Sequence, residues 1–169
     1  FSINNIALVD GQPKLLNLKE MIEAFIEHRK EVVTRRTLYL LRRARQRAHI
    51  LEGQAVALAN IDEVIELIKS SPTAKEAREG LVAKTWQAEE LKDLLEEVGL
   101  DASRPDGLSE DFGFQGDSYQ LTEEQAQAIL EMRLQRLTSM EQDKLIEDYR
   151  NIVDEIRDLL DILGSSERL

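Results

Sequence analysis

Residues 145–163 read LIEDYRNIVDEIRDLLDIL, and six apolar positions stand out: Leu145, Tyr149, Ile152, Ile156, Leu159 and Leu163. Their gaps alternate between four and three residues, the a/d repeat of a helix that buries one narrow seam against a second helix. Acids and arginines fill the positions between, as a solvated outer face requires. Upstream, Thr138-Ser139-Met140-Glu141 has the form of a capping box, and Gly164 fits a C-terminal stop. A helix of this kind gains most of its stability from packing, so the fold turns on what covers the seam.

A partner is found at the other end of the chain. Asn17-Leu18-Lys19-Glu20 is a second capping box, and no proline occurs from Lys14 to Ser71. Apolar residues at 22, 25, 26, 32 and 33, then at 41, 44, 48, 51, 55 and 58, keep three-and-four spacing. Only Gly53 interrupts, at a cost of about 1 kcal/mol relative to Ala. The pattern predicts one helix from Leu18 to Ala59, about 60 Å long. Two such helices at opposite ends of the chain are expected to pair as an antiparallel coiled coil. The alternative is that each seam packs on a different neighbour.

Between them the sequence predicts a small globular knob of short helices. These are Ile61–Ser70, one capped by Thr73, one over Gln87–Val98, and one opened by Thr122-Glu123-Glu124-Gln125 and running to about Leu137. Gly99–Leu121 holds four of the eight glycines and Pro105, and is expected to be a peripheral, solvated loop that Phe112, Phe114 and Tyr119 could pin. At the N-terminus, Phe1–Val9 alternates weakly before Asp10-Gly11, a strong hairpin signal, and Pro13 makes the following strand short or an edge. A start at Phe1 suggests a piece of a longer protein. The expected fold is therefore all-α, a long antiparallel coiled-coil arm capped by a helical knob, with a β-hairpin remnant. Its parts are 1–16 (hairpin), 17–60 (first long helix), 61–137 (knob) and 138–169 (return helix).

Composition narrows the function classes. Of 169 residues, 42% are hydrophobic, enough for a core, and only 5% are aromatic. There is no cysteine, which removes disulfides, thiolate catalysis and Cys-ligated zinc. The two histidines, His28 and His49, leave little for a metal site. The longest stretch free of Asp, Glu, Lys and Arg is nine residues, too short to span a membrane, and no secretory leader is seen.

The net charge of -11 conceals an asymmetry. Between His28 and Arg47 stand Arg29, Lys30, Arg35, Arg36, Arg42, Arg43, Arg45 and Arg47 against a single acid, Glu31. The other 149 residues carry 14 basic and 32 acidic side chains. A cationic stripe on an acidic protein is a candidate DNA-facing surface. It is equally a candidate for a helix face whose arginines pair with acids on a neighbouring helix. No glycine-rich phosphate loop, metal cluster or nucleophile–base arrangement is present, so the chain itself is expected to be non-catalytic and to need no cofactor. Tyr39 and Tyr149 read as packing residues. His49, one turn from Glu52, reads as half of a structural pair.

Several runs together resemble the A subunits of bacterial type IIA topoisomerases. Asp10-Gly11-Gln12-Pro13-Lys14 is similar to the end of that family's tower region. His28-Arg29-Lys30-Glu31-Val32-Val33-Thr34-Arg35-Arg36-Thr37 resembles the start of its long arm. Ala48-His49-Ile50-Leu51-Glu52-Gly53, Asn60-Ile61-Asp62-Glu63-Val64-Ile65 and LTEEQAQAILEMRLQRL at 121–137 follow in order. Ser139-Met140 departs from the family's usual Gly-Leu. The stretch 83–120 resembles the gyrase branch more than topoisomerase IV. The resemblance implies the coiled-coil arm and exit gate of a cytoplasmic, nucleoid-associated enzyme. Its partners would be a second copy of the same polypeptide, the ATP-hydrolysing B subunit, and duplex DNA, with no membrane. The catalytic tyrosine would lie in an upstream domain. Candidate dimer residues are Gln125, Ala126, Ile129, Leu130, Met132, Arg133 and Leu134, because this helix carries more apolar surface than one buried stripe needs. A cationic DNA-contacting arm is the alternative primary role.

Overall fold

The structure, a computed structural model, describes residues 4–89, 92, 102–133 and 137–165. Its first element is a hairpin, β1 (Asn5–Val9) and β2 (Gln12–Leu16), paired antiparallel with Val9 opposite Gln12. Asp10 and Gly11 both have positive φ (53° and 76°), the tight two-residue turn whose twist matches the strands. Pro13 is tolerated because β2 has no second neighbour.

Helix α1 follows as Leu18–Ala59. Its capping box is complete: the Asn17 side chain accepts from the Glu20 N–H at 2.9 Å, and the Glu20 carboxylate accepts from the Asn17 N–H at 2.8 Å. At its far end the Asn60 carboxamide donates to the carbonyls of Val56 and Gln87, both at 2.8 Å, stopping the helix and tying it to the knob. Then come α2 (Ile61–Ser70) and α3 (Ala74–Ala83), the latter capped by Thr73.

The knob is not purely helical. β3 (Thr85–Gln87), β4 (Gly113–Gln115) and β5 (Ser118–Gln120) form an antiparallel sheet in the order β3-β5-β4. Gln87, expected to open a helix, instead ends a strand; further along that expected helix Glu89 and Lys92 are helical, and residues 90, 91 and 93–98 lie outside the described residues. Trp86 and Tyr119, directly opposite each other on β3 and β5, are fully buried, and Phe114 meets Tyr119 edge-on at 4.9 Å. Strands of three residues carry too little alternation to register as a period. The expected loop is thus partly a structural layer of the knob.

Helix α4 (Glu123–Leu130) has a complete capping box on Thr122 and Gln125 but ends seven residues short of the expected Leu137, with Glu131 as its C-cap. It lies directly on α1. A Cβ placed on Gly53 would come within 2.7 Å of Cβ and Cγ of Gln125, so only glycine allows the approach.

Helix α5 (Ser139–Gly164) returns along α1. Leu137 lies beside Ala57 and Ile61, and further along Tyr149 meets Glu52, so the two helices run antiparallel. Leu145, Tyr149, Ile152, Ile156 and Leu159 are buried and Leu163 is half-buried. They join one core with Leu41, Ala44, Ala48, Leu51 and Ala55 of α1. Ile156 has no exposed surface, so Ile156→Asn loses its apolar burial and strands an unpaired amide. The expected loss is about 3–5 kcal/mol, read as a drop in the urea midpoint; an unchanged midpoint would refute the packing of α5 on α1.

Candidate functional site

Where α1, the 102–122 segment, α4 and α5 meet, buried polar groups form a continuous network. Glu52 accepts from the Tyr149 hydroxyl at 3.0 Å and from the Ser103 hydroxyl at 3.1 Å. The Tyr119 hydroxyl adds a third hydrogen bond to Glu52, while accepting from the Gln125 carboxamide at 2.7 Å. That same carboxamide donates to the His49 carbonyl at 2.7 Å and lies 3.2 Å from its Nδ1. The two amide hydrogens go to the His49 carbonyl and the Tyr119 hydroxyl, and a proton on Nδ1 would face this donor nitrogen, so Nε2 carries the ring hydrogen and donates to Thr122 Oγ1 at 2.9 Å. His49 and Glu52, expected to pair with each other, are instead joined through Gln125 and Tyr119. Among the described residues no buried side-chain polar atom lacks a partner.

The electrostatics follow from burial. Glu52 is pushed above the usual carboxylate range by desolvation, partly offset by its three hydroxyl partners and by Arg104. Desolvation, with the Arg104 charge nearby, holds His49 down to about 4. Burial and the Glu52 carboxylate push both Tyr119 and Tyr149 above the ordinary phenol range. Two tyrosines fixed as hydrogen-bond donors and hard to ionise are structural groups, poorly set for nucleophilic attack. Tyr39 is exposed, with Arg43 5.9 Å above its ring.

The 102–122 segment is tied down by groups that bond to its backbone. Arg104 donates to the carbonyls of Phe112, Leu108 and Ser109. Outward, Arg45 donates to Asp106 at 2.7 Å and to the Ala102 carbonyl at 3.1 Å, and Arg42 lies 3.5 Å from the same aspartate. The basic stripe is thereby divided: Arg42 and Arg45 serve this segment and Arg35 pairs with Glu31, whereas Arg29, Lys30, Arg36, Arg43 and Arg47 have no ion-pair partner among the described residues.

The candidate dimer residues are sorted just as sharply. Gln125 and Ala126 have no exposed surface and Ile129 only 4%, so these three are packed in the knob's own core. Leu134 lies outside the described residues. Leu130 and Met132 are half-buried and Arg133 is exposed. Those last three, together with Ile129, line an open, mostly apolar groove of about 120 Å³, whose other wall is Ala57 with Ile61, Ile65 and Ile68 of α2. The sequence reading does not single out the α2 wall, although its apolar positions at 61, 65 and 68 share one helix face and were the available signal.

The whole chain, residues 1–169, matches the family described as the A subunit of DNA gyrase/topoisomerase IV. The chain belongs to that family. It is 56% identical over 169 residues to the DNA gyrase A subunit of Pseudomonas aeruginosa, covering 100% of this chain and 18% of that protein. With the gyrase A protein of Aeromonas salmonicida the identity is 53% over the same 169 residues, again 18% of the relative. The Escherichia coli protein is 56% identical over 149 residues, 88% of this chain and 17% of the relative. The chain therefore spans less than a fifth of the length of these gyrase A relatives. No helix among the described residues is long and apolar enough to cross a membrane, and none of their acidic and histidine side chains group as a metal site.

The buried pair makes opposite contributions in acid. His49 is neutral in the folded chain down to about pH 4, whereas an unfolded histidine takes up a proton near 6.5. Its contribution is complete above pH 6.5 and is lost as pH falls towards 4, by roughly 3 kcal/mol at most. Glu52 has a raised folded pKa, so its contribution is complete below the unfolded carboxylate value and is lost as pH rises through the folded one. Glu52→Gln removes the opposing effect, and the acid loss of stability between pH 6.5 and 4.5 is expected to steepen. Urea unfolding across that range checks it; an unchanged or shallower slope would contradict the assignment.

Proposed function

We propose that this chain is the coiled-coil arm and exit-gate module of a gyrase A-type subunit, in which two knobs meet across a twofold axis. The observation that carries this reading is the open apolar groove between α2 and the end of α4. A groove lined by Ile61, Ile65, Ile68, Leu130 and Met132 is a surface that water solvates poorly, and Met140, 82% exposed at the start of α5, adds to the same kind of surface. A twofold contact is the simplest closed solution, because the same patch serves both copies.

In this reading residues 1–16 close the preceding tower region and 17–60 form the first arm helix. Residues 61–137 make the gate, and 138–169 return as the second arm helix. α1 and α5 are the two strands of a coiled coil that holds the gate at a distance. The two joined knobs would keep the two halves of the enzyme together while a DNA duplex passes through a break made upstream. ATP hydrolysis would belong to the B subunit, and negative supercoiling to the assembled cytoplasmic enzyme on nucleoid DNA. This module supplies adhesion and leverage, with no cofactor of its own. The equivalent module of topoisomerase IV is the second reading, and the gyrase relatives at 53–56% identity favour the first.

Two variants separate gate from core. Met132→Glu places a charge on the groove and is expected to give a folded monomer in sedimentation, with its melting temperature nearly unchanged. Ile129→Glu buries a charge in the knob and is expected to unfold it. A Met132→Glu protein that sediments as a dimer, or a wild-type chain that remains a monomer at high concentration, would sink the proposal.

A further inference from the structure

The division of the basic stripe gives it a direction. At 100° per residue, Arg29, Arg36, Arg43 and Arg47 fall within about 40° of one another around α1, a line of roughly 27 Å along the axis. All four are exposed. They lie to one side of the buried seam of Thr37, Leu41, Ala44 and Ala48. Arg35, Arg42 and Arg45 lie to the other, where Glu31 and Asp106 already engage them.

From Arg29 to Ala59 the only acids on α1 are Glu31 and Glu52. Glu31 pairs with Arg35 on the opposite flank, and Glu52 is buried at the junction. The open flank therefore carries no acid of its own on α1. Its bases are all arginines, whose planar forks match phosphate oxygens better than lysine does. A protein with net charge -11 repels a polyanion almost everywhere else, so contact would be confined to this one line.

We propose that this flank of α1 is a contact surface for the phosphate backbone of duplex DNA, with Asp106 masking the other flank. The inference does not depend on how the knobs pair. A straight row of guanidinium groups spaced about 10, 10 and 6 Å apart along a rigid helix fits the regular charge of a duplex. The contact would be weak, independent of sequence and strongly dependent on salt, a surface along which DNA slides.

The test uses the 169-residue chain with a fluorescent 30-base-pair duplex, read by anisotropy. Four phosphate contacts give a log–log salt slope near -3.6, so the affinity is expected to fall about a hundredfold between 50 and 200 mM salt. Arg36→Gln with Arg47→Gln should weaken binding at 50 mM and bring the loss over the same range down to about tenfold. Arg35→Gln, on the paired flank, should change neither. Asp106→Asn frees Arg42 and Arg45 and should steepen the slope. The proposal is overturned if the duplex does not bind at 50 mM, if the double variant behaves as wild type, or if polyglutamate binds and the duplex does not. Sedimentation of the double variant keeps this outcome separate from the gate: its dimer state is expected to match wild type whether or not DNA binds.

Discussion

Because Gly53 presents no side chain, Gln125 of α4 sits directly on the backbone of α1, and that contact sets the register of the knob. From there one carboxamide reaches the His49 carbonyl, the His49 ring and the Tyr119 hydroxyl, while its oxygen accepts from the Thr122 N–H. Helix, strand and cap are thus referenced to a single buried group. A glycine in mid-helix costs about 1 kcal/mol in propensity. Here the cost is offset by a close approach that lets buried polar atoms be satisfied without water.

The same junction joins the two long helices to the knob. Glu52 belongs to α1, Tyr149 to α5 and Ser103 to the connecting segment, so three pieces of chain distant in sequence converge on one carboxylate. On either side of it, the residues of α1 and α5 that share the core are apolar. An apolar seam tolerates sliding by a heptad, whereas a buried hydrogen-bonded carboxylate fixes one register. Glu52 therefore acts as the pin that keeps the seam from slipping.

The long helices were legible in the sequence because each carries its own period: six seam positions in α5, and in α1 an Asn17 cap and an unbroken run to Ala59. The ordering of the 102–122 segment was not. Arg104 holds it through carbonyl oxygens, which every residue possesses, and its strands are three residues long. α4 stops at Leu130, and Leu130 and Met132 beyond its buried face line the groove. For the candidate surface, the sequence indicated which helix carries the apolar excess. It could not indicate which residues the knob itself consumes, since Gln125 is polar yet buried and Met132 is apolar yet partly open.

The antiparallel return of α5 has a mechanical consequence. The end of α5 lies beside the middle of α1, near Leu41, while the exposed first half of α1 runs on past it; both free ends point away from the knob. A force that separates those ends does not shear the whole seam at once; it peels the helices apart one layer at a time, beginning at half-buried Leu163 and proceeding to Leu159 and Ile156. Peeling needs far less peak force than shearing the same area, and it stops at the first strong cross-link. Here that cross-link is Tyr149 on Glu52. The pair behaves like forceps, compliant at the tips and rigid at the hinge, so separation of the tips is absorbed before the knob feels it.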